Sequence, residues 1–122
     1  ILANVQEQGA RLLAGLQKIA QRYQIVGDVR GLGLFYGIEL VRDRETKAPL
    51  VPFDAKGDAQ KPVQRIIADA WERGLYISAH DNVIRIAPPL IIAPEDVDLG
   101  LSILDEVIGA AEERLQKEDD HE

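Results

Sequence analysis

In the stretch Asp81-Asn82-Val83-Ile84-Arg85-Ile86-Ala87-Pro88-Pro89-Leu90, apolar residues surround one arginine and two prolines close the run. Two-residue alternation sends Ile84 and Ile86 to one face of a short strand and Val83, Arg85 and Ala87 to the other. A guanidinium keeps its charge and is costly to bury unpaired. Arg85 therefore meets solvent, pairs with a carboxylate, or faces an anionic ligand, for which its fork of donors is suited. The other reactive residue types stand in plainer settings. His80 in a turn and His121 in the tail have no further ligand at helical spacing, which argues against a metal centre. Ser78 and Ser102 lie in no nucleophile elbow and beside no base. Glu95/Asp96 and Glu112/Glu113 occupy helix surfaces, where solvation and the helix dipole account for them. Lys18, Lys47, Lys56, Lys61 and Lys117 fall on polar helix faces, in a loop or in the tail, so none is desolvated enough for Schiff-base chemistry. The residues form no complete active site; they offer one arginine with its back to the core.

The elements that must hold that arginine follow from periodicity. Leu2, Val5, Leu12, Leu13, Leu16, Ile19 and Tyr23 make a helical stripe ending near Gln24, weakened by Gly9 and Gly15 by up to about 1 kcal/mol each. Ile25 to Arg30 and Leu34 to Val41 read as a β-hairpin, with Gly31-Leu32-Gly33 supplying the positive φ of the turn. Gly31, Gly33 and Gly37 do not make a dinucleotide fingerprint, because the third glycine is one place late and a strand follows where a helix is needed. Arg42 to Lys61 reads as a long surface excursion, mobile or packed on something outside the chain. Pro62 opens a second helix with an apolar face of Val63, Ile66, Ile67, Ala70 and Trp71, stopped by Gly74. Leu75 to Ser78 and Val83 to Ala87 predict a second hairpin turning at His80, Asp81 and Asn82. Pro94 opens the last helix, buried along Val97, Leu101, Leu104, Val107 or Ile108, Ala111 and Leu115. Residues 117–122 are expected to be a disordered acidic tail.

The predicted order is helix-hairpin-helix-hairpin-helix, an α+β fold: a two-layer sandwich whose antiparallel sheet of two hairpins has helices on one face. The other sheet face, which carries Arg85, is left bare and is expected to meet another domain or subunit. The 122 residues, 46% of them hydrophobic, suffice for one domain with a core. A formal charge of -7 opposes nucleic-acid and anionic-membrane binding. No apolar run approaches the roughly 18 to 20 residues of a membrane span. The chain has no cysteine, which fits a reducing compartment and makes the cytoplasm the simplest expectation. It also has no methionine and begins inside a helical pattern without a cap, so it is expected to be a piece of a longer protein.

The segments Ile25-Val26-Gly27-Asp28-Val29-Arg30-Gly31-Leu32-Gly33-Leu34, Gly37-Ile38-Glu39-Leu40 and Val83-Ile84-Arg85-Ile86-Ala87-Pro88-Pro89-Leu90-Ile91-Ile92 together carry a resemblance. In that order they are similar to the C-terminal small domain of class III aminotransferases. These are the pyridoxal-phosphate enzymes of fold type I that include the ornithine, acetylornithine, 4-aminobutyrate and ω-amino acid:pyruvate enzymes. The likeness runs from the first helix to Leu115, and Glu39 to Lys47 with the proline-bearing excursion resembles most the ω-amino acid and 4-aminobutyrate branches. Ala93 departs from it, standing where the family often has Ser or Thr, a local capping loss of about 1 kcal/mol.

The resemblance implies that residues 1–116 are the small domain of an enzyme moving an amino group from an amine or ω-amino acid to a 2-oxo acid. It implies that Arg85 binds the substrate carboxylate. It also implies that the pyridoxal 5'-phosphate lysine, phosphate loop and pyridine-nitrogen aspartate lie in a large domain upstream, within a homodimer. The isolated chain would then hold neither catalytic nor cofactor-binding residues. The alternative is a stand-alone amino-acid-binding or protein-interaction α+β module.

Overall fold

Leu12, Leu16 and Ile19 recur at helical spacing and are buried together, which lays the helix α1 (Leu2–Arg22) along the sheet. The structure, a computed structural model, describes residues 1–53 and 56–120. After α1 come β1 (Val26–Leu32), β2 (Phe35–Asp43), β3 (Ala48–Pro49), a 3₁₀ turn (Gly57–Gln60), α2 (Lys61–Glu72), β4 (Ser78–His80), β5 (Val83–Ile86) and α3 (Pro94–Asp120). The strands pair antiparallel in the order β1-β2-β5-β4, with β3 beside β2. This is the predicted α+β order of helix, hairpin, helix, hairpin and helix. Tyr36, Ile38 and Leu40 of β2 and Ile84 and Ile86 of β5 form the buried sheet face, packed with Leu104, Val107 and Ile108 of α3. Among the described residues, no helix is long and apolar enough to cross a membrane.

The first turn is tighter than the sequence predicts. Gly31 and Leu32 pair with Tyr36 and Phe35, and the connection is the two residues Gly33-Leu34. Gly33 takes φ +61°, the requirement at the first turn position of a two-residue hairpin. Gly9, a liability for an isolated helix, lets α1 approach that turn: a Cβ there would stand 2.4 Å from the Gly33 carbonyl oxygen.

The excursion after β2 is a correction to the sequence reading. The chain doubles back as β3, and Leu50 and Val51 are only 4% and 2% exposed, inside the chain's own core. A buried amide fastens them there. Asn82 Nδ2 donates to the Val51 carbonyl at 2.9 Å, and Val51 N–H donates to Asn82 Oδ1 at 2.8 Å. Such a pair satisfies polar groups that could not otherwise be buried without cost.

Three further differences have local causes. Trp71, expected on the buried face of α2, is 55% exposed. Its Nε1–H donates to the Ile77 carbonyl at 2.9 Å, and its ring meets Tyr76 edge-on. With that carbonyl taken by the indole, β4 pairs over Ser78–His80 rather than over Leu75 to Ser78, and the turn contracts to Asp81-Asn82. The expected disordered tail is corrected over Lys117–Asp120, which continue α3. Gln116, Lys117 and Glu118 are good helix formers, and Lys117 favours the negative helix end; residues 121 and 122 lie outside the described residues.

The seam between α1 and α3 is polar at its rim. Arg11 Nε and Nη2 donate to the Asp98 carboxylate at 2.7 and 2.6 Å and hold its carboxyl below the usual range. Arg22 and the Tyr23 hydroxyl both donate to Asp105, and that bond pushes the Tyr23 phenol above its ordinary value. Glu112 accepts from the Gln24 and Ile25 N–H groups, while Arg44 donates to the carbonyls of Ala20, Tyr23 and Val26. The exit from α1 into β1 is thereby fixed from both sides.

Two outcomes follow. Asn82→Ala leaves two buried backbone groups of Val51 unpaired, so the urea midpoint should fall by the equivalent of about 2 to 4 kcal/mol; a loss below about 0.5 kcal/mol would remove the amide from the account. Because the folded-state phenol of Tyr23 is raised, its contribution is fully present below the unfolded value of about 10 and is lost as pH rises through the folded one. Stability measured from pH 9 upward should therefore decline in the native chain, and Tyr23→Phe should flatten that decline.

Candidate functional site

Strand alternation builds the open face of the sheet. With Ile38, Ile84 and Ile86 turned to the helices, the residues between them turn away. The registers then place Arg30, Gly37, Arg85 and Ser78 in one row across β1, β2, β5 and β4, and Asp28, Glu39, Val83 and His80 in the next. Arg85 is exposed, as the sequence predicts, and is held on a strand paired on both sides. Its lateral neighbours are Gly37, without a side chain, and Ser78, with a short one, so the guanidinium has open space on both flanks.

Among the described residues, Arg85 differs from the other arginines in having no protein partner. Arg11, Arg22, Arg65, Arg73 and Arg114 pair with carboxylates, Arg44 and Arg42 donate to backbone carbonyls, and Arg30 pairs with Asp28 and Glu39. Among the described residues, none makes a hydrogen bond or an ion pair with Arg85. A hollow of about 340 Å³ edged by Lys61, Arg65 and Arg114 also gathers cations. Those are committed to Asp58 and Asp69 at 3.2, 2.9 and 3.5 Å, so they offer an incoming anion less than Arg85 does.

The structure does not bring His80 or Ser78 into a reactive constellation with Arg85. Ser78 stands directly across from it with no base within the row, and His80 Nε2 sits 3.4 Å from Asp81 at the sheet edge. Among the described residues there is no group of three side chains able to hold a metal ion. Lys18, Lys47, Lys56, Lys61 and Lys117 are all exposed, so none is desolvated as a Schiff-base lysine must be. Sequence reasoning missed the ion-paired group Asp28, Arg30 and Glu39 beside Arg85. The signal was present as alternation with Val29 and Ile38, but only the cross-strand register shows that they share its face. It also missed a groove of about 770 Å³ between α2 and β4, lined by Val63, Ile67, Trp71 and Ile77 with Glu72 and Asp81 at its edge; its described lining holds two carboxylates and no cation, which does not suit an anion.

Residues 1–108 match the family model for aminotransferase class-III. The chain is similar to taurine–pyruvate aminotransferase of Rhodobacter capsulatus, with 39% identity over 122 residues that cover 94% of this chain and 24% of that protein. It is similar also to leucine/methionine racemase of Thermococcus litoralis, 40% identical over 114 residues covering 93% and 24%. A solved structure of taurine:2-oxoglutarate aminotransferase from Bifidobacterium kashiwanohense, in complex with PLP and glutamate, superposes with a TM-score of 0.85 at 28% identity, covering 93% of this chain and 25% of that one. The chain spans about a quarter of the length of the relatives it matches.

An arginine without a protein partner contributes little to the fold. Arg85→Ala should shift the unfolding free energy by less than about 0.5 kcal/mol, whereas Ile84→Ala on the same strand should cost about 2 to 5 kcal/mol. Equal losses by chemical denaturation would make Arg85 a structural residue.

Proposed function

The chain belongs to the class-III aminotransferases, and on that premise we propose that residues 1–116 are the C-terminal small domain of a longer, pyridoxal-phosphate-dependent enzyme. That enzyme transfers an amino group from an amine or ω-amino acid to a 2-oxo acid. Arg85 binds the substrate's carboxylate. The supporting observation is the exposed guanidinium on a doubly paired strand, the one arginine among the described residues with no protein partner. A carboxylate needs two parallel donors in a plane, and a strand fixes the direction in which they are offered. A sulfonate presents oxygens of like charge, so taurine, the donor in the name of the Rhodobacter relative, falls within the same class.

The residues present do not fit the cofactor by themselves, since every lysine is exposed. Pyridoxal phosphate, which supplies the electron sink for amino transfer, is on this reading held by the large domain of the longer protein. The open sheet face then lies against that domain, in a cytoplasmic homodimer.

The test is Arg85→Lys in the full-length enzyme, which keeps the charge and loses the bidentate fork. KM for an ω-amino acid should rise by about one to two orders of magnitude, corresponding to roughly 1.5 to 3 kcal/mol for a charged hydrogen bond. A plain amine donor should be affected far less in its own half-reaction. Equal losses for both donors, or unchanged kinetics with a lower melting temperature, would contradict the assignment.

A further inference from the structure

Glu39 stands where two arginines compete for it. Gly37 of β2 is paired with Arg30 on one side and with Arg85 on the other, and Glu39 lies two residues further along the same face. It is therefore the diagonal neighbour of both, a separation that long side chains span. Arg30 holds it: Arg30 Nη2 is 2.9 Å from Glu39, and Arg30 Nε is 3.0 Å from Asp28. Asp28 and Glu39 are directly opposed across β1 and β2, a like-charge pairing that disfavours the sheet unless a cation bridges it. That requirement ties Arg30 to the two acids and keeps Glu39 from Arg85.

We propose that Arg30 is a positioning residue for substrate binding: by engaging Asp28 and Glu39 it keeps the Arg85 guanidinium uncommitted for the substrate's carboxylate or sulfonate. The inference rests on the substrate-binding role of Arg85. Without Arg30, Glu39 turns to Arg85 and becomes an internal competitor of the substrate anion. The ground-state affinity for anionic donors then falls, while the chemical step is untouched. The surface pairs involved are exposed, Arg30 by 69% and Glu39 by 37%, so the competition is modest.

The experiment uses the full-length enzyme carrying Arg30→Gln, Glu39→Gln, the double variant, Arg30→Lys, and Lys18→Gln as a control for loss of one positive charge. KM for an ω-amino acid should rise about two- to fivefold in Arg30→Gln with kcat unchanged, as expected for one exposed ion pair. It should return to the native value in the double variant and stay near it in Arg30→Lys and Lys18→Gln. A second readout is independent of turnover. In the full-length enzyme without substrate, the Nε–H resonance of Arg85 should shift in Arg30→Gln, as a new bond to Glu39 requires, and return to its native position in the double variant. An Arg85 signal unmoved by Arg30→Gln, or a KM not restored by adding Glu39→Gln, overturns the positioning role. If Arg85→Lys itself leaves KM unchanged while the resonance responds as described, the ion-pair competition stands and the substrate role of Arg85 is what fails.

Discussion

The pairing of β2 with β5 is the constraint on which the rest of this molecule depends. Ile38 lies across from Ile84 and Tyr36 across from Ile86, all on the face covered by helices. A slip of one residue would turn those side chains to solvent and Arg85 into the core, at the cost of both apolar burial and an unpaired buried charge. The same register sets Arg85 beside Gly37 and Glu39 beside Val83. The core thus determines the address of the arginine.

One-sided coverage gives the fold its usefulness. The three helices use their apolar stripes on a single sheet face, and the opposite face is left with charges that the strands arrange in rows. On that face Arg30 bridges the carboxylates of Asp28 and Glu39, and among the described residues the Arg85 guanidinium stays uncommitted. A chain of net charge -7 would be expected to surround any free cation with carboxylates. Keeping one clear takes a local arrangement, and the opposed pair Asp28/Glu39 with Arg30 between them supplies it.

Much of this was legible in the sequence because it is local. The alternation of Ile84, Arg85 and Ile86, the stripe from Leu12 to Ile19, Pro62 at the start of α2 and Gly74 after its end each state their structure within a few residues. What escaped depends on partners distant along the chain. Leu50 and Val51 look like loop residues until Asn82, far along the chain, closes on Val51 from both sides. Leu75, Tyr76 and Ile77 have strand composition, yet the Trp71 indole takes the Ile77 carbonyl and the ladder starts later. The group around Glu39 was invisible for the same reason, since single-strand alternation cannot say which residue of β1 or β5 lies opposite. Lys117–Asp120 have the charge density of a tail, yet Lys117 and Glu118 are good helix formers and continue a helix already formed upstream.

The central claim is that Arg85 is held open for a substrate anion, and a crystal structure of the full-length enzyme with a bound ω-amino acid or sulfonate analogue examines it most directly. The account predicts both terminal nitrogens of Arg85 on the anion at about 2.7 to 2.9 Å, with Arg30 still bridging Asp28 and Glu39. An anion seated elsewhere, with Arg85 turned to solvent or paired with Glu39, would contradict it.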